Sequence, residues 1–262
     1  MKNRTIKNMS FYEYNNQKMA YLCHGNGKDT YLWVHGWGSN KLFLKNLSKT
    51  LQKQGTHYVV DIPGFGDSPK PEEDWTLDEY AKFFTHFIDE IKTDRLIWVG
   101  HSYGCRIGVK LASQYPNHID KMALIAAAGL PQKRSLLEKI NIFIKVHTFK
   151  LMKMFVRDEK KLEELRSKHG STDYKEAGNM RTIFVKTVSE NLEDNATNVT
   201  CPVALYYGEH DVATKPDMGR RYNALIPNST FEEFKGLDHF SIVLKGQHQL
   251  AQRIKKFVEK DA

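Results

Sequence analysis

The chain has 262 residues, of which 40% are hydrophobic and 27% charged, with a formal net charge of +8. That length could form one large α/β domain or two small ones with a sizeable core, and the balance is ordinary for a soluble globular protein. The basic excess raises nucleic acid as a partner, but no aromatics interleave with Lys/Arg and no helix-turn-helix or RNA-binding signature is present, so none is expected.

The N-terminus, Met1-Lys2-Asn3-Arg4, is basic but no apolar run follows it, so neither a secretory signal nor a spanning segment is predicted. Cys23, Cys105 and Cys201 are far apart and odd in number. They suit a reducing compartment, hence a cytoplasmic expectation, and their spacing predicts no metal site.

In chain order, Met9–Tyr14 and Lys18–Cys23 read as a hairpin around Asn15-Asn16. Thr30–Val34 is a continuous apolar strand running into His35-Gly36-Trp37-Gly38-Ser39-Asn40. A Gly-rich loop there leaves backbone N–H groups facing a cavity, with the Trp37 amide as a candidate oxyanion donor. A helix is expected over Leu42–Gln54, then the strand His57–Asp61 and the rigid loop Pro63-Gly64-Phe65-Gly66-Asp67-Ser68. Thr76 with Glu79 three residues on predicts a capping box. Behind it Leu77, Tyr80, Ala81, Phe84, Phe87, Ile88 and Ile91 recur at helical spacing and read as core.

Arg95–Val99 reads as a buried strand and leads into Gly100-His101-Ser102-Tyr103-Gly104, followed by a helix-like run from Arg106 to Ala112. A strand, a G-x-S-x-G turn and a helix are the context of a nucleophile elbow. Glycines on both sides let the turn close, leaving Ser102 strained at its apex and the Tyr103 amide beside it as a second oxyanion donor. Lys121–Ala126 is the next strand. The alternation of helices with continuous apolar strands predicts a mostly parallel sheet covered on both faces.

From Gly129 to about Asn198 no strand is predicted. Helices are expected over Ser135–Phe155, Asp158–Lys168 and Glu176–Asn191, forming a helical cap at 130–198 inserted into a core of 1–129 and 199–262. Between Pro131 and Gly170 about eleven Lys/Arg face about five Asp/Glu, so most of the positive excess lies here. Strands resume at Pro202–Tyr207, ending in Gly208-Glu209-His210-Asp211, and at Thr230–Phe234, followed by Gly236-Leu237-Asp238-His239-Phe240. Helices are expected over Pro216–Leu225 and Gln247–Glu259.

Ser102, Asp211 and His239 thus stand on loops after strands, in the order Ser…Asp…His. With His35-Gly36-Trp37-Gly38, Asp61-x-Pro63-Gly64-Phe65-Gly66-Asp67-Ser68, Gly208-x-x-Asp211 and Gly236-x-x-His239, the chain resembles the α/β-hydrolase superfamily from about Ser10 to Glu259. The resemblance implies an α/β-hydrolase fold and a cofactor-free serine hydrolase of the carboxylesterase kind. In it Ser102 is the nucleophile, His239 the base and Asp211 the acid, with Glu209 and Asp238 as competitors for that role. His35, Gly36, Trp37, Phe65, His101 and Phe240 are then expected to line the substrate pocket.

The chemistry behind these roles is simple. A serine hydroxyl is a poor nucleophile unless an imidazole takes its proton, and a carboxylate fixes the imidazole's tautomer. Phe240 follows the histidine where carbon–carbon bond hydrolases often carry Trp, which disfavours that branch, and Cys105-Arg106 departs from the small residues common in the elbow. The Gly-rich loops look similar to those of pimeloyl-acyl carrier protein methyl ester esterases, and a basic cap would complement an acidic carrier protein. Two further readings are set behind these: contact of the 136–155 helix with an anionic membrane, which is not expected, and a non-catalytic ligand receptor.

Overall fold

The computed structural model describes residues 9–133, 136–155, 158 and 172–260. Apart from Asp158, the helix expected over Asp158–Lys168 lies outside the described residues. Eight strands form one sheet in the order β1-β2-β4-β3-β5-β6-β7-β8. They are β1 (Met9–Tyr14), β2 (Gln17–Gly25), β3 (Asp29–Val34), β4 (Gly55–Val60), β5 (Leu96–His101), β6 (Lys121–Ile125), β7 (Val203–Gly208) and β8 (Ser229–Phe234). The β1/β2 and β2/β4 pairs are antiparallel and every other pair is parallel. Asn15 and Asn16, both at positive φ, turn the hairpin, as two-residue loops between twisted strands require.

Neighbouring residues on the parallel strands point to opposite faces, and both faces are apolar. Leu32, Val34, Trp98, Leu124 and Leu205 belong to one core cluster. Trp33, Val99, Ile125 and Tyr206 belong to the other. Helices α2 (Leu77–Ile91) and α3 (Tyr103–Gln114) cover the first face. The second is covered by α1 (Lys41–Thr50) and the C-terminal helix Gln247–Glu259. This two-sided cover explains the unbroken apolar strands. Thr76 and Glu79 close the capping box of α2, with Thr76 N donating to Glu79 Oε2 at 2.6 Å.

Between β6 and β7 the described residues hold helices and no strand: α4 (Leu136–Phe155), α5 (Thr172–Glu176), a 3₁₀ turn at Gly178–Met180, α6 (Arg181–Ser189) and α7 (Glu193–Thr197). The single helix expected over Glu176–Asn191 is broken because Gly178 sits at φ +50°, outside helical space. After β7 come α8 (Pro216–Leu225), the short α9 (Ser241–Leu244) and α10 (Gln247–Glu259).

Chain order reverses direction across the sheet between β3 and β5. In open α/β sheets the crevice at such a switch point, beyond the carboxyl ends of the strands, is where ligands bind. The loop after β3 and the turn after β5 flank it.

Candidate active site

Ser102 sits between β5 and α3 at φ 49°, ψ −103°, a backbone region that a side-chain-bearing residue occupies only under strain. Its N–H is held by Ile125 O at 2.9 Å and its carbonyl by Cys105 N at 3.1 Å, so the apex is pinned from both sides. The turn demands glycines at two approaches. A Cβ on Gly104 would lie 2.8 Å from His35 O, because α3 begins against the end of β3. A Cβ on Gly36 would lie 2.9 Å from His101 Nδ1 and 3.3 Å from Ser102 Cβ, so the loop after β3 passes directly beside the serine.

Two amides border this approach. Among the described residues neither Trp37 N–H nor Tyr103 N–H donates to a protein acceptor. Tyr103 opens α3, where the first turn's N–H groups have no intrahelical partner and the helix dipole favours negative charge. The Trp37 ring is fixed edge-on against Phe65 at 4.8 Å and Tyr103 at 5.2 Å, which sets the path of its loop. Its remaining side meets Phe184 of α6 at 4.9 Å, making that helix a wall of the same region.

On the loops after β7 and β8, His239 Nδ1 lies 2.7 Å from Asp211 Oδ2. Asp211 is buried, and its other oxygen accepts the N–H groups of Ala213 and Thr214, each at 2.8 Å. A carboxylate with these donors accepts from Nδ1 and leaves Nε2 of His239 as the ring nitrogen without this partner. Of the three carboxylates weighed, Asp211 alone reaches the ring. Glu209 is taken up by Lys235 at 3.0 Å and Gly236 N at 2.9 Å. Asp238 accepts Phe240 N at 3.0 Å and Ser241 N at 2.8 Å, capping the turn into α9.

Position 239 is joined to the serine turn through the serine's own neighbour. His101 Nε2 lies 2.9 Å from the carbonyl of His239, and the two rings are 4.8 Å apart. A carbonyl only accepts, so His101 carries a proton on Nε2. Burial, reinforced by His239, pushes its pKa down to about 3. Ser102 and His239 share no hydrogen bond in the structure.

Two histidines expected to line the pocket are used differently. His35 is fully buried, donating from Nδ1 to Gly36 O at 2.7 Å and accepting Ile62 N–H on Nε2 at 3.1 Å, with its pKa driven by burial to about 4. It ties the loop after β3 to the loop after β4. His101 is likewise buried and ties the serine turn to His239. Phe65 stands against Trp37, whereas Phe240 is exposed and packs on Phe43 at 6.1 Å.

Sequence reasoning missed Thr214. Its hydroxyl lies 2.8 Å from Asp211 Oδ2, 3.0 Å from Ala126 O and 3.2 Å from His239 Nδ1. A Thr three residues after an Asp on a strand-end loop is a signal that could have found it, through the Asx-type turn it closes. It also missed Ala126, at φ 49° just past β6, a second strained residue at this end of the sheet. No cluster of potential metal ligands occurs among the described residues.

A mostly parallel eight-stranded sheet with this strand–Ser–helix turn defines an α/β hydrolase, and a family model for the alpha/beta hydrolase fold matches residues 21–167. The chain belongs to that family. An uncharacterised protein of Mycobacterium tuberculosis (strain ATCC 25618 / H37Rv) is 27% identical over 47% of this chain and 36% of its own length. A pimeloyl-[acyl-carrier protein] methyl ester esterase of Shewanella woodyi is 31% identical over 40% of this chain and 38% of its own. The match therefore spans little more than a third of these relatives. A crystal structure titled as a membrane phospholipase A and bacterial virulence factor superposes with a TM-score of 0.76. It shares 22% identity over 97% of this chain and 87% of that one, a likeness of fold.

Proposed function

We propose that the chain is a serine hydrolase that cleaves carboxylic esters through an acyl-enzyme, with Ser102 as nucleophile, His239 as base and Asp211 as acid. The 2.7 Å pairing of His239 Nδ1 with the buried Asp211 carries this reading, because it leaves the imidazole in the tautomer a general base needs. Ser102 Oγ attacks the ester carbonyl carbon and its proton passes to Nε2 of His239. The tetrahedral oxyanion is held by the N–H groups of Trp37 and Tyr103. As the carbon–oxygen bond breaks, the imidazolium returns the proton to the departing alkoxide. Water then repeats the sequence on the acyl-serine, releasing the acid and restoring Ser102.

The test is labelling with a fluorophosphonate probe, followed by hydrolysis of p-nitrophenyl esters from acetate to decanoate. The native protein takes one label, and Ser102→Ala takes none and loses turnover by at least about a thousandfold. A native protein that resists the probe favours the ligand-receptor reading instead.

A second reading narrows the substrate to a methyl ester on an acyl carrier protein, in the cytoplasm. The Shewanella woodyi relative and the Lys/Arg excess between β6 and β7 favour it. Rates on such an ester that ignore salt and the cap lysines would end that reading. The cap at 130–198 over a core of 1–129 and 199–262 belongs to the same proposal, supported by the contact of Phe184 with Trp37.

A further inference from the structure

The loop after β8 that carries His239 is held along most of its length by its near neighbours. His210 N donates to Leu237 O at 2.8 Å, Gly236 N to Glu209 Oε2 at 2.9 Å, and Asp238 N to Ser241 Oγ at 2.7 Å. These bonds run to the loop after β7 or stay within the segment itself, and none of them reaches the serine turn. Among the described residues one hydrogen bond crosses from the end of β5 to this loop, from His101 Nε2 to the His239 carbonyl at 2.9 Å.

The group it grips decides where the imidazole points. The carbonyl carbon of residue 239 is bonded to the Cα that bears the ring, so fixing that peptide limits the directions in which the side chain can leave. Asp211 Oδ2 then meets Nδ1 at 2.7 Å. One partner sets the root of the side chain and the other its tip.

Packing alone does not account for an imidazole at 101. The side chain is buried, with the Phe43 ring at 4.9 Å and the Phe240 ring at 6.2 Å, a place that an apolar residue fills without the cost of desolvating two nitrogens. Its Nδ1 is buried and has no partner among the described residues, so half of the ring's polar capacity goes unused. Nε2–H is what this ring contributes. The mount is stiff: β5 is paired on both sides, residue 101 opposes Ile125, and Gly36 passes so close that a Cβ there would lie 2.9 Å from Nδ1. With its pKa lowered to about 3 by burial, the ring does not act as a base at neutral pH.

We propose that His101 is a positioning residue for the base: its Nε2–H ties the His239 carbonyl to the nucleophile turn and so sets the approach of the imidazole to Ser102. The proposal rests on the ester-hydrolase reading above.

The test compares His101→Gln, whose amide nitrogen can stand where Nε2 does, with His101→Asn, whose amide stands at the place of Nδ1 and falls short of the carbonyl. With p-nitrophenyl acetate, His101→Asn lowers kcat about a hundredfold with KM little changed, as expected of a base displaced by about 1 Å. His101→Gln stays within about threefold of native kcat. Circular dichroism of both variants matches the native chain. A second measurement keeps the native side chain, using chain grown with histidine labelled at the ring nitrogens. An Nε2–H resonance that exchanges slowly with water, and is missing from His101→Gln, moves when a fluorophosphonate occupies Ser102. Equal losses in the two variants, a loss confined to KM, or an Nε2–H resonance that is absent or unmoved by the probe overturns the proposal while native labelling and turnover leave the ester reading standing. A native chain that takes no probe and turns over no ester overturns both together.

Discussion

Asp211 accepts from Ala213 N, Thr214 N, Thr214 Oγ1 and His239 Nδ1, so it is held from the loop after β7 on every side except the one facing the imidazole. The sequence could single out Asp211 and His239 because a polar residue after a buried strand breaks an apolar pattern. The bond from His101 to the His239 carbonyl leaves no such mark, since it joins positions whose spacing carries no period, and Thr214 shows only as an Asx-type turn partner three residues after Asp211. Thr214→Val keeps the loop's shape but removes the hydroxyl from Asp211. If Asp211 serves the base, kcat falls roughly tenfold with KM little changed, measured by ester kinetics. Buried histidines supply a second test. His57 accepts Trp33 Nε1–H at 3.0 Å and bonds Leu51 O at 2.8 Å, and burial lowers its pKa to about 4. His35 and His101 are depressed in the same way. The unfolded chain binds protons on these rings near pH 6.5 and the folded chain does not. Their contribution to stability is therefore complete above that value and is lost as pH falls, to about 4 for His35 and His57 and to about 3 for His101. The urea midpoint falls across that window, and His57→Gln, which can keep one donor and one acceptor, makes the fall shallower.

At the level of elements, Arg106 resolves an oddity of the elbow. The resemblance leads one to expect small residues just after the nucleophile, and Cys105-Arg106 departs from them. The guanidinium is buried and donates to Thr187 O at 2.6 Å and to Glu190 O at 2.5 Å, the carbonyls that end α6. Lys110, one turn further on α3, reaches Glu190 at 2.7 Å and Asp78 of α2 at 3.0 Å. The nucleophile helix thus holds the C-terminus of the helix whose Phe184 packs on Trp37, and a cation suits that end of the dipole. Arg106→Leu leaves two helix-end carbonyls without a donor and costs about 2–4 kcal/mol of unfolding free energy by urea titration. Amide exchange over 181–190 rises more than exchange in β5. The reach of Arg106 across some eighty positions is tertiary, whereas the break at Gly178 is local, a glycine at positive φ interrupting an otherwise helical pattern. Capping was different: Thr76 and Glu79 are three residues apart, so local sequence sufficed.

Across the whole molecule, the mostly parallel sheet and its two-faced core were legible because parallel strands buried on both sides must be continuously apolar, and helices between them must be amphipathic, whereas the strand order was not. What composition could not disclose is how unequally the sheet secures the three loops of the candidate site. Ser102 follows β5, which is paired on both sides and lies between β3 and β6. Asp211 follows β7, also paired on both sides. His239 follows β8, an edge strand with β7 as its sole sheet neighbour. Edge elements open at lower free energy than strands in the centre of a sheet, where both backbone ladders must break together. With Trp37 and Trp75 changed to Phe for the emission measurement, Trp33 and Trp98, both fully buried, report on β3 and β5 in that centre. If His239 is the base, esterase activity is lost at a lower urea concentration than the tryptophan emission shift. Ser102 can still be shielded from unfolding in that interval while the imidazole has already left. Coincident midpoints for activity and emission would instead mean that β8 opens only with the whole sheet, clamped by the helix Gln247–Glu259, whose Arg253 reaches Glu232 of β8 at 2.6 Å.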